Sequence, residues 1–311
     1  MHKHGLGLLH SVIEVLTACS SKFLHFALHC TQMCQWCDYW DAPAAVEVCF
    51  DRLSRCELQV LSATDISSIL DLPSAVHSMP QFAKVKEKCA AWLLQTYSDV
   101  PKIMTDDELL SGFCFDLNFA AVALWADQDK LKVCSENEVA VLLTFWDDAQ
   151  VSMSDEEAEQ LSSKVRVGQM SKSFRYFILP KLEWFSDPNA VLASFNMAYD
   201  HGSAKAVKQM CCKEHPPAWL APSRCSVFAD VLTFSFTMAE LESLLAAAAA
   251  GKFAIVRSSP QHFSGFFFKL SLQREGDGGL GVYLLPCAMG SIPRPETLCV
   301  TFSIQLVKAD G

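Results

Sequence analysis

Through roughly the first 185 residues, apolar positions recur at three- and four-residue intervals, the spacing that puts them on one face of a helix. Leu9, Val12, Ile13 and Leu16 form one such face, and Phe23, Leu24, Ala27 and Leu28 the next, which predicts two short helices joined near Ser20-Ser21. Further helices are expected over 44–55 and over 65–72, the second stopped by Pro73. A long one is expected over 80–98, with Phe82, Val85, Cys89, Trp92 and Leu93 on one side, then two more over 106–113 and 115–127. Ser135 with Glu138, and Ser154 with Glu157, are capping-box signatures: the serine hydroxyl accepts the third helical N–H while the glutamate reaches back to the cap. No strand-period segment interrupts this half, so it reads as all-α.

The pattern then changes twice. Residues 186–227 are rich in turn formers and prolines ("SDPNAV", "DHGS", "KEHPPAWLAPSR") and read as a linker with a short helix near 191–199. From residue 228 come aromatic and β-branched runs, "VLTFSFTM", "FAIVRS", "FSGFFFKLSL", "LGVYLLPC" and "TLCVTFSIQLV", set apart by Gly and Pro. A helix over 238–250, stopped by Gly251, interrupts them. The fold class this implies is α+β multidomain: a helical N-terminal half, a linker, and a mostly antiparallel, sandwich-like β region. There is no internal repeat.

Composition narrows the function classes. With 51% apolar and 19% charged residues, the chain buries a large core and is not disordered overall. A formal net charge of −10 disfavours nucleic-acid backbones and anionic membranes as main partners. No stretch reaches the ~18 unbroken apolar residues of a membrane span. His10, Ser11 and Glu14 break the apolar core that a signal peptide would need. The 14 cysteines are therefore expected to be reduced thiols, in a cytoplasmic or nuclear protein.

Candidate chemistry is sparse. "GDGGLG" (276–281) fits a dinucleotide-binding spacing, but "VYLLPC" follows it, and a strand there reads as a hairpin turn. Cys211, Cys212, His215 and Cys225 offer soft ligands for zinc, in a spacing that matches no named motif. In "HCTQMCQWC", Cys30, Cys34 and Cys37 fall at i, i+4 and i+7, on one helical face with Phe23 and Ala27, while His25, His29 and Met33 lie off it. Thiols so placed pack as small apolar groups. No nucleophile elbow, phosphate loop or His-Glu zinc helix is present, and no cofactor is implied.

Two stretches of the helical half carry a resemblance. "VCSENEVAVLLTFWDD", with Ser135, Glu136, Val139, Leu142, Leu143 and Trp146, looks like the signature helix of the BACK domain. "VRVGQMSKSFRYFILPKLEWF" follows, with Arg166, Val167, Met170, Phe174 and Phe177 where that family's next element has them. The likeness covers 43–185. The opening residues, 1–42, resemble the last helices of a BTB domain, with "ACSSKF" at the corner where the family usually carries an acid and an aromatic. Most of BTB, its sheet and dimer helices, has no counterpart, which implies a truncated BTB and disfavours homodimerisation. More loosely, 228–311 resembles a partial MATH (TRAF-like) domain through Ser258, Phe263, Gly265, Phe268, Gly281 and Tyr283.

The resemblance implies a non-enzymatic protein-interaction adaptor. BTB-BACK proteins commonly bring substrates to cullin-type E3 ubiquitin ligases, so the implied partners are a cullin and a ubiquitination substrate. Phe263, Phe266, Phe268 and Tyr283, on the aromatic strands, are the candidate partner-binding residues. A zinc-binding or thiol-redox protein using the Cys/His clusters, and a truncated binding module with no ligase role, are the alternatives.

Overall fold

The computed structural model describes residue 34 and residues 43–185, 189–201, 216–226, 234–250, 252–274 and 280–293. The fold is α+β: helices dominate the N-terminal half and antiparallel strands lie in the C-terminal part. The chain forms two compact units that interleave along the sequence. The first is Met1–Val133, Ala149–Val165 and Ser223–Val227; the second is Cys134–Asp148, Arg166–Pro222 and Phe228–Gly311.

In the first unit, helices α1 (Pro43–Arg55), α2 (Ala63–Leu70), α3 (Ser74–His77) and α4 (Pro80–Tyr97) precede α5 (Val100–Thr105), α6 (Asp107–Asp116) and α7 (Phe119–Ala126). The long α4 buries Phe82, Val85, Cys89, Trp92 and Leu93, the stripe its periodicity marks. Its core is aromatic. Trp125 is fully buried beside Phe113, with ring centroids 4.8 Å apart, and its indole N–H donates to the Tyr97 carbonyl at 2.8 Å. Trp92 does the same to the Leu61 carbonyl at 2.9 Å. Each ring thus contributes apolar area and one satisfied polar atom.

The corner between α6 and α7 is set by polar groups. Asn118 caps α7 by accepting the Ala121 N–H at 3.0 Å. Its own N–H and amide donate to the hydroxyl and the carbonyl of Ser67, which sits on α2. Helix α9 (Asp155–Ser162) starts at a complete capping box made by Ser154 and Glu157. A two-residue parallel pair, β1 (Lys132–Val133) with β2 (Cys225–Ser226), also forms, too short to leave a period in the sequence. Arg224, 4% exposed, is the anchor beside it. Its guanidinium donates to the carbonyls of Ala126 (2.7 Å), Gln128 (2.6 Å) and Lys164 (3.4 Å).

The second unit is built on α8 (Glu136–Ala149), buried almost all round from Glu136 to Thr144 and again at Trp146. Thr144 accepts the Trp184 indole N–H at 2.8 Å and donates to Ala140 at 2.9 Å. Helix α10 (Lys172–Phe177) is tied to α11 (Asn189–His201) by Arg175, which donates to Asn196 and Asp200 at 2.7 Å each. Within the stretch read as linker, Trp219 is buried, stacked on Phe185 and edge-on to Phe195. Arg166 donates to the Pro222 carbonyl and Gln169 to Ala221, holding that segment in place.

The sheet of this unit centres on β5 (Phe266–Arg274). Strands β3 (Ile255–Arg257) and β4 (Gln261–Phe263) line up along one edge of it, and β6 (Leu280–Cys287) pairs along the other, all antiparallel. Between β3 and β4, Ser258 keeps the ladder whole: its N–H donates to Leu270 O and its hydroxyl accepts Leu270 N–H. Helix α12 (Met238–Ala249) packs on β3 and β5 and buries Leu244.

Arg224 generates a stability prediction. Arg224→Ala leaves three carbonyls without their charged donor and is expected to cost about 3–5 kcal/mol. Arg224→Lys is expected to recover only part of this, because one ammonium does not span the fork. Urea unfolding followed by tryptophan fluorescence checks both; an unchanged midpoint for Arg224→Ala would remove the anchoring role.

Candidate functional site

The turn between β4 and β5 is two residues long, Ser264-Gly265. Both have positive φ, 51° and 84°, the mirror-image turn whose twist suits a hairpin. This tip sits against the start of α8. Asn137, fully buried, donates its amide to the Ser264 carbonyl at 2.8 Å and accepts the Ser171 N–H at 3.0 Å. The next residue, Glu138, accepts the Ser264 N–H and also the N–H groups of Cys134 (2.7 Å) and Ser135. Two consecutive side chains on α8 therefore satisfy both main-chain polar groups of Ser264. Gly265 leaves no room for anything larger: a Cβ there would lie 2.2 Å from the Cβ of Asn137.

The Ser135/Glu138 box expected from the sequence forms by half. Glu138 reaches back to Ser135 N–H, but the Ser135 hydroxyl is buried with no hydrogen-bond partner among the described residues. The carboxylate instead serves the incoming hairpin. Burial pushes the Glu138 carboxyl above its usual range, and its N–H donors and the Cys134 thiol partly offset that. A negative charge at a helix N-terminus is also favoured by the helix dipole.

His262 completes the cluster. Its side chain is 4% exposed, and its Nε2 accepts the Gly265 N–H at 3.1 Å. That assigns the ring proton to Nδ1, which faces Glu138 Oε1 at 4.0 Å. Burial pulls the imidazole down to about 4, so it is neutral at ordinary pH. Cys134, Glu138 and His262 thus spend their donors and acceptors on one another and on the hairpin backbone. The arrangement positions the sheet, and it aims no lone pair of His262 at a substrate.

The aromatic strands divide between core and surface. Phe266 (8% exposed) meets Phe174 of α10 edge-on, and Phe267 (5%) packs on Phe145 of α8 and on His262. Phe268 is buried as well, and Phe263 is half-buried. Of the candidate partner-binding residues, Phe266 and Phe268 therefore lie in the core rather than on open surface, because the tip must be packed where it docks. Tyr283 on β6 is exposed. Val282, Ile255 and Phe253 are exposed as well, and no local pattern marks them. Only strand register could have found Val282 and Ile255, since a β residue's face depends on its partner.

Of the cysteine clusters, Cys211, Cys212 and His215 lie outside the described residues, and Cys225 is exposed on β2. Among the described residues no group of three or more His, Cys, Asp or Glu side chains is placed to hold a metal ion. In "HCTQMCQWC", Cys34 is helical and fully buried, and its thiol hydrogen-bonds that of Cys49 on α1, which pulls the Cys49 thiol down against the opposing effect of burial. Cys30 and Cys37 lie outside the described residues. Among the described residues no single helix is long and apolar enough to cross a membrane. No protein-family model, curated protein or solved structure matches the chain.

The cluster generates two predictions. Gly265→Ala meets both an unfavourable φ and the Asn137 side chain, and is expected to destabilise by about 2–4 kcal/mol in urea unfolding; an unchanged midpoint would contradict the docking. For pH, His262 has a folded value below its ordinary 6.5, so the unfolded chain takes up the proton first as pH falls. Its contribution is present above pH 6.5 and is lost towards pH 4. Glu138, raised above 4.5, acts in the opposite sense, adding stability as pH falls through its folded value. Comparison with His262→Gln isolates the histidine: the wild type's stability relative to the variant is expected to drop by about 3 kcal/mol between pH 7 and pH 4. Parallel pH profiles would show that His262 is not the group responsible.

Proposed function

We propose that this chain is a non-enzymatic protein-interaction adaptor, resembling the BTB-BACK proteins that bring substrates to cullin-type E3 ubiquitin ligases. On this reading the helices over 43–185 are the BACK-like body, and the sheet is one layer of a MATH/TRAF-like sandwich that receives the substrate. One observation carries the reading: a β-hairpin tip is fastened by three hydrogen-bonding side chains, Asn137, Glu138 and His262, while Tyr283, Val282 and Ile255, further along the same sheet, stay exposed. Fixing a sheet rigidly at one end and leaving aromatic and aliphatic groups open at the other suits a binding module, because anchors held in place lose little entropy on association. The BACK-like signature helix supports it too: α8 is the element to which the sheet is pinned.

Pull-down of a purified cullin N-terminal domain by the tagged full chain tests the proposal. Capture is expected, and it is expected to survive Val282→Asp and Tyr283→Ala, which alter only the sheet. Failure of the wild-type chain to retain the cullin would sink the ligase-adaptor reading.

A further inference from the structure

We propose that one face of the sheet is a docking surface for an extended acidic segment of a partner protein; this deepens the adaptor reading and rests on it. In an antiparallel ladder, residues directly opposite each other share a face. The register therefore puts Ile255, Gln273 and Gly281 in one row, Arg257, Ser271 and Tyr283 in the next, and Lys269 with Leu285 in the third. Arg257 is exposed, Ile255 and Tyr283 are 37% and 38% exposed, and Lys269, Gln273 and Leu285 are half-buried. The surface is flat where it needs to be. A Cβ at Gly281 would lie within 2.5–2.9 Å of two ring carbons and the hydroxyl oxygen of Tyr283, so the side chain leans back along β6 over the bare glycine. Ser271 is fully buried and accepts from Gln273 at 3.1 Å, forming the floor between the two.

Charge decides the partner. The chain carries a formal net charge of −10, yet Arg257 and Lys269 stand on this face with no ion pair among the described residues, and no described residue of the three rows is a carboxylate. An acidic segment is repelled by most of such a protein and attracted here. Lys269 lies two residues from Ser271, the partner of Arg257, so the two cations are diagonal neighbours at about 7 Å. That matches the spacing of alternate side chains on an extended strand, about 6.6–6.8 Å. A peptide lying along the sheet can therefore set two carboxylates on Arg257 and Lys269 while an apolar side chain meets Tyr283 or Leu285.

The test is fluorescence anisotropy of a labelled eight-residue peptide that carries Glu, Glu and Val at successive alternate positions with Ser between them, so that all three face the sheet, titrated with the full chain, with a peptide carrying Lys in place of each Glu as the opposite probe. The comparison is Arg257→Glu/Lys269→Glu against Lys84→Glu/Lys86→Glu, a reversal of the same net charge at two exposed positions on α4. Saturable binding of the acidic peptide by the wild type and the α4 variant, weakened about tenfold or more in the sheet variant with an unchanged melting temperature, is the expected result. No saturable binding by the wild type, or equal weakening in both variants, overturns the proposal. Cullin capture by the same preparations separates the two readings. A chain that holds the cullin but not the peptide retains its adaptor role and loses this surface.

Discussion

A two-residue turn with both backbones left-handed cannot send its hydrogen bonds into its own sheet, and the second unit is arranged around that fact. The Ser264 N–H and C=O and the Gly265 N–H need side-chain partners beyond the strand ladder, and a buried group left unpaired costs about 1–3 kcal/mol. Asn137, Glu138 and His262 supply them. The docking then dictates much else. Asn137 and Glu138 must open helix α8 side by side, position 265 must be glycine, and Phe266 and Phe267 must be buried against α10 and α8 because they flank the tip. The exposed end of the sheet is what remains.

Buried arginines do similar work in each unit. Arg224 in the first, and Arg166 and Arg175 in the second, collect carbonyls or side-chain acceptors from segments far apart in sequence. A guanidinium with several donors in a fixed plane can serve two or three chain segments at once, where backbone ladders serve only neighbours. This is how irregular stretches such as residues 216–224 are held without regular secondary structure. Asp200 balances Arg175, and the pair holds the Asp200 carboxyl below its ordinary range despite burial.

Several features were legible in the sequence for physical reasons that act locally. The stripe of Phe82, Val85, Cys89, Trp92 and Leu93 marks the buried face of α4, because helical spacing alone sets which side chains share a side. The Ser154/Glu157 box formed as its residue types imply, since both partners lie within one turn. The Ser135/Glu138 signature located a helix start equally well, but the glutamate's further partner, Ser264, lies 126 residues away and leaves no local trace. Likewise "FSGFFFKLSL" announced a strand, while saying nothing of the turn at Ser264-Gly265 that splits it or of which phenylalanines would be covered.

The sequence by itself determined the α+β class, the positions of most helices and the apolar stripes, because those depend on interactions within a few residues. Tertiary structure alone decided that Phe266 and Phe268 are core and Tyr283 is surface. It also decided that Glu138 fastens a hairpin as well as capping a helix, and that Arg257 and Lys269 meet on one face. Each of those outcomes rests on strand register and on contacts between segments more than ten residues apart, and no local pattern encodes which partner a face will find.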